Sequence, residues 1–168
     1  MSSGDWLVLA RTKYMLDNLE EDLYLKGYYY QNKFRKQREH TLHLAATDWE
    51  NARKGQPLTY DQVERIYSYM NIDKNKLKSM VKDMTYDIDR LKEHYGLKTD
   101  AVWFEAFDAA PRRDVNYLRK MRKNGEKLNE APRITLSTIH GAKGGESQNV
   151  VLLTDLSENT MKAYERNA

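Results

Sequence analysis

The residues best suited to chemistry lie in one short stretch, Thr138-Ile139-His140-Gly141-Ala142-Lys143-Gly144-Gly145-Glu146-Ser147. Glycines at 141, 144 and 145 let backbone amides come close to a ligand, and Lys143 sets beside them a cation suited to phosphate. Glu146 is acidic, so it suits sugar hydroxyls, from which it can accept hydrogen bonds, better than a phosphate. The stretch is not the phosphate loop G-x-x-x-x-G-K-[ST], because Lys143 precedes the glycine pair, and no other segment fits that pattern. On residue types alone it is either a ligand-binding loop or a glycine-rich surface turn between strands.

Other candidates are weaker. Arg112, Arg113, Arg119, Lys120, Arg122 and Lys123 form a basic helical face that suits either a polyanion or plain solvation. Tyr28, Tyr29 and Tyr30 could stack on bases, but alternation in a short strand buries one ring and exposes two, and core packing is the expectation. Trp49, Trp103, Phe104 and Phe107 are expected to pack a core. His40, His43 and His94 lack partners at metal-ligand spacing, so no zinc site is expected. No cysteine is present, which excludes disulfides, thiolate metal sites and a cysteine nucleophile.

The elements that must position the loop divide the chain by texture. Trp6-Leu7-Val8-Leu9-Ala10 is a continuous apolar run of the kind buried strands show. Thr12 then suits a helix N-cap, and Met15, Leu19 and Leu23, with Leu16 beside them, mark an apolar stripe. Gly27 stands where a helix C′ residue belongs, and Tyr28–Tyr30 reads as a short strand. This strand–helix–strand order predicts a parallel sheet. Residues 31–132 read as about five helices. Leu42–Ala52 marks one, Thr59-Tyr60-Asp61-Gln62 is a capping box that opens another, and Asp73 caps a long helix stopped near Gly96. Trp103, Phe104 and Phe107 form a short apolar patch, and Val115, Leu118 and Met121 mark the helix that carries the basic face. Strand texture returns at Ile134–Ile139 and Val150–Leu153, on either side of the glycine-rich loop.

At 168 residues the chain suits one domain, or one domain with a sizeable insertion. Its 40% hydrophobic content supports a core and excludes wholesale disorder. A mean hydropathy of −0.88, with no apolar stretch near the roughly 20 residues a span needs, excludes a membrane helix. The start has no basic segment before its apolar run, unlike a signal peptide, and a cytoplasmic protein is expected. Residues 31–132 carry 21 Lys and Arg against 16 Asp and Glu, a mildly basic middle between flanks of slight negative charge.

The segment Arg133-Ile134-Thr135-Leu136-Ser137-Thr138-Ile139-His140-Gly141-Ala142-Lys143-Gly144-Gly145-Glu146, with Val150-Val151-Leu152-Leu153 beyond it, resembles motif V of UvrD/Rep-type superfamily 1 DNA helicases. The pattern there is a strand, T-[IVM]-H-x-A-K-G-x-E, then another strand. Leu9-Ala10-Arg11-Thr12, Leu19–Leu23 and Gly27–Tyr30 resemble the preceding conserved segment of the same family domain.

The resemblance implies an α/β fold: a partial RecA-like parallel-sheet domain in residues 1–30 and 133–168, interrupted by an all-helical insertion at 31–132. The function it implies is the C-terminal part of an ATP-dependent DNA helicase, inactive alone. It assigns Gly144 and Glu146 to ATP, and Thr138 and His140 to the single-stranded DNA backbone. Lys143 would buttress the loop between the two ligands and count with Thr138 and His140 among the DNA-binding residues, and Arg11 would face DNA or a domain interface. Partners would be single-stranded DNA, possibly duplex DNA, and an N-terminal RecA-like domain of the same parent chain, which would hold the Mg²⁺. The alternative is a non-catalytic DNA-binding or regulatory module that works through the helical block.

Overall fold

A computed structural model describes residues 4–35, 39–128, 130–155 and 162. Along the chain the elements are β1 (Trp6–Ala10), α1 (Asp17–Lys26), β2 (Tyr30–Asn32), α2 (Glu39–Arg53), β3 (Leu58–Thr59), α3 (Tyr60–Tyr67), β4 (Thr85–Tyr86), α4 (Ile88–His94), α5 (Trp103–Ala106), α6 (Arg112–Lys123), β5 (Ile134–Thr138) and β6 (Asn149–Leu152). Short 3₁₀ segments lie at Lys13–Leu16, Lys74–Ser79 and His140–Ala142. The chain is mixed α/β and divides into two units, residues 1–37 with 119–168, and residues 38–118.

The first unit holds a four-stranded sheet in the order β2-β5-β1-β6, with every neighbouring pair parallel. Parallel strands need a crossover between them. Between β1 and β2 that crossover is α1, which ends at Gly27 in the left-handed conformation (φ 75°). Gly27 N–H donates to Tyr24 O at 3.1 Å and Tyr28 N–H to Leu23 O at 3.0 Å, which closes the last turn.

Thr12 does not cap α1. It precedes the 3₁₀ turn, its side chain makes no capping hydrogen bond, and α1 begins only at Asp17. The second strand begins and ends later than Tyr28–Tyr30, and Tyr29 and Tyr30 are both buried while Tyr28 is half-buried. Strand β6 forms the sheet edge, so Val150 and Leu152 are 57% and 52% exposed despite their apolar character.

The second unit packs around Trp49, Ile66, Tyr67, Tyr86, Leu91 and Phe107, all fully buried. Its capping box is in place: Thr59 Oγ1 accepts from Gln62 N–H, and Gln62 Oε1 accepts from Thr59 N–H at 2.9 Å. Tyr67 donates its hydroxyl to Tyr95 O at 3.1 Å, and burial pushes its phenol pKa well up, so it stays a neutral donor.

Two expectations fail in this unit. It is not all helical, because β3 and β4 pair as a two-stranded antiparallel sheet. The long helix expected from Asp73 to Gly96 is instead a 3₁₀ turn, an extended residue at Met80, strand β4 and the short helix α4, newly capped by the Asp87 side chain. The cause is Tyr86. Its buried hydroxyl accepts from Val81 N–H at 2.8 Å and donates to Val81 O at 2.9 Å, holding the backbone at Val81 out of a helix. Tyr86→Phe removes that partner from both Val81 groups, and because Val81 is half-open to water the expected cost is that of an ordinary hydrogen bond, about 0.5–1.5 kcal/mol. Hydrogen exchange should show faster opening across residues 74–84, and unchanged protection there would remove this role from Tyr86.

Candidate functional site

In an open parallel sheet, ligands gather where strands end at their carboxyl edge. Here that edge brings together Arg11, Thr138 and His140. Ala10 is the register partner of Thr138, and Ile139 N–H donates to Ala10 O at 3.0 Å, so Arg11 and His140 leave adjacent strand ends. Arg11 and His140 are exposed and Thr138 is half-buried. Thr138 Oγ1 accepts from Gly141 N–H at 3.1 Å, which starts the 3₁₀ turn that turns the chain over the edge.

The loop then runs a course that spacing alone does not reveal. Strand β6 is parallel to β1 and starts at Asn149, opposite Trp6. The chain must therefore return from the carboxyl edge to the amino edge within residues 139–148. Ser147 Oγ donates to Asp5 O at 2.9 Å, and Asn149 N–H donates to the same carbonyl at 3.0 Å, which ties the far end of the loop beside the start of β1.

Glu146 is thus separated from Arg11, Thr138 and His140 by the length of β1, roughly 15 Å at about 3.3 Å per residue. Lys143, Gly144 and Glu146 are all exposed along this crossing. Gly144 is left-handed (φ 78°), and a Cβ there would meet nothing within 4 Å, so its backbone is open to a ligand. The geometry joins three of the four expected DNA contacts, Arg11, Thr138 and His140, and leaves the fourth, Lys143, on the crossing strap together with the expected ribose contact. Gly144 and Glu146, the two residues that the resemblance assigns to ATP, both lie open to solvent on this crossing.

No family model, curated protein or solved structure matches this chain.

Three residues at the carboxyl edge were not singled out from the sequence. Phe34 lies just past β2, 37% exposed, with Lys13 Nζ 4.4 Å from its ring centroid. A Cβ at Gly141 would lie 3.3 Å from Phe34 Cζ and 2.9 Å from Ser137 Oγ, so the ring, the serine and the loop meet there. Ser137 is fully buried, and its hydroxyl has no hydrogen-bond partner among the described residues; the same holds for Thr12 Oγ1. Ser137 gave no distinctive signal in the sequence, because Thr135 and Thr138 of the same strand are polar as well. Phe34 gave none, because only the sheet order brings β2 beside β5.

The six cations of the basic face on α6 are all exposed. Arg112 Nη1 donates to Phe104 O at 3.4 Å and Lys120 Nζ to Leu25 O at 2.6 Å, so at least these two also serve the fold. A separate apolar groove of about 350 Å³ is lined by Trp6, Val8, Leu19, Leu23 and Ile134, near the opposite strand ends. No helix among the described residues is long and apolar enough to cross a membrane.

Proposed function

We propose that this chain is the second RecA-like domain, with its accessory insertion, of a superfamily 1 DNA helicase, and that its carboxyl sheet edge contacts single-stranded DNA. The observation that supports this most is the meeting of Arg11, Thr138 and His140 at adjacent parallel strand ends, beside a glycine-rich strap that resembles motif V. A cation, a hydroxyl and an imidazole on a rigid edge suit phosphate oxygens, and such contacts position a strand without reading its sequence.

In this reading ATP lies between this domain and a P-loop domain, which holds the Mg²⁺, and Glu146 and Gly144 touch the nucleotide from this side. Because one strap carries Thr138 and His140 at one end and Glu146 at the other, displacement of the strap couples the two ligands' binding free energies. Phosphoryl transfer needs a phosphate cradle, a held metal and a transition-state cation, none of which this domain supplies in the reading.

The purified chain is expected to bind fluorescent oligothymidylate with strong salt dependence and to hydrolyse no ATP. Arg11→Ala with His140→Ala should weaken that binding about tenfold by fluorescence anisotropy. In the P-loop-bearing parent, Glu146→Ala should weaken nucleotide binding by about 0.5–3 kcal/mol, one hydrogen bond's worth, and leave nucleotide-free DNA affinity unchanged. Absence of DNA binding by the chain, or ATP turnover that vanishes in Lys143→Ala, would overturn the proposal.

A further inference from the structure

We infer that the Phe34 ring is a stacking platform for one base of a single strand that crosses the carboxyl edge of the sheet. The inference rests on the DNA-binding reading and adds the contact that would hold a base rather than a phosphate.

A phenyl ring on a loop normally finds cover, yet this one is 37% exposed. It is nonetheless firmly held. Phe34 N–H donates to Asn32 Oδ1 at 3.0 Å, and Asn32 Nδ2 in turn donates to Glu20 Oε2 at 2.8 Å. Asn32 and Glu20 are both buried, so this anchor lies beneath the loop. The next residue along the chain, Arg35, pairs with Asp17 at 2.7 Å and with the same Glu20 at 2.9 Å. Residues on both sides of Phe34 are therefore tied to α1, and the ring is presented from a fixed backbone. Little conformational freedom remains to be lost when a ligand settles on it.

Its surroundings suit a nucleotide. The ring tip lies against Gly141, where a side chain would crowd it, and this places Phe34 directly beside the Thr138–His140 edge. Lys13 Nζ lies over one face of the ring at 4.4 Å; Lys13 is exposed and its stem is flexible, so a base stacking on that face displaces the ammonium sideways, where it meets the backbone phosphate. Alternating aromatic and cationic groups along a groove are the general chemistry of sequence-tolerant single-strand binding. The other role open to the ring is to shield Gly141 and Ser137, and that role requires no DNA base.

The test compares binding of a 16-mer oligothymidylate and an abasic strand of equal length and charge, across a salt series. Wild type is expected to prefer the thymidylate about tenfold, within the range of one stacked base. Phe34→Leu should abolish the preference and keep the salt slope, which reports phosphate contacts, and Phe34→Trp should retain it. If Phe34→Leu does not fold, the Phe34→Trp variant decides: indole quenching by thymidylate but not by the abasic strand, beyond that of wild type, supports stacking, and equal quenching overturns it. Wild type binding both strands equally, or Phe34→Leu keeping the full preference, refutes the platform and leaves the DNA-binding reading intact. Binding of neither strand refutes both.

Discussion

Gly27→Ala is expected to destabilise the first unit by about 2–4 kcal/mol, with a matching fall in the denaturation midpoint. Two effects combine. The left-handed backbone (φ 75°) costs a residue with a Cβ about 1 kcal/mol relative to glycine. The added Cβ would also sit 2.8 Å from both the Lys120 carbonyl carbon and Met121 N, and it would overlap Lys120 Cβ. Backbone cannot yield as a flexible side chain does, so overpacking of about 1–3 kcal/mol adds to the strain.

Gly125→Ala separates the two effects. Gly125 has nearly the same backbone (φ 74°) with nothing within 4 Å of a Cβ, so it should show the conformational cost alone. Urea unfolding of both variants is the measurement. Equal losses would mean that Gly27 is needed only for its left-handed turn. The close approach would then be irrelevant.

Trp49→Ala should cost still more, about 3–5 kcal/mol, the range for a truncated large core side chain. Trp49 is fully buried, with its ring 6.3 Å from that of Phe107, and its Nε1–H donates to Ala101 O at 2.9 Å. The truncation opens a cavity and removes the donor to that carbonyl together. Trp49→Phe keeps most of the apolar volume and loses the donor, so it should cost clearly less. Guanidinium unfolding of the two variants gives the comparison. A loss below about 1 kcal/mol for Trp49→Ala would show that the second unit's core does not centre on this ring.

Local signals were legible at two helix boundaries and along one helix face. The helix stop at Gly27 and the capping box at Thr59 and Gln62 follow from side-chain and backbone preferences within a few residues. The basic face of α6 is helical and exposed, as its spacing predicts. The same reasoning failed at Asp73–Gly96, where a buried tyrosine hydroxyl holds Val81 out of the helix that the apolar spacing favours. Thr12 has the residue type of a cap, and its position fits one, yet a 3₁₀ turn intervenes and leaves its hydroxyl without a partner among the described residues.

Residue order and type were enough to show that strands flank a helix in the first segment, that the sheet is parallel, and that Thr138–Ser147 is a glycine-rich connection with a cation and an acid in it. Side-chain period and the need for a crossover are local constraints, and they suffice for that much. The strand order β2-β5-β1-β6 emerges only on folding, because order depends on pairing between segments about a hundred residues apart, which local preference does not encode. That order sends the glycine-rich connection from one edge of β1 to the other and so parts Glu146 from His140. It also sets β2 beside β5, and this pairing, through no property of Phe34 itself, carries an exposed phenyl ring to Gly141.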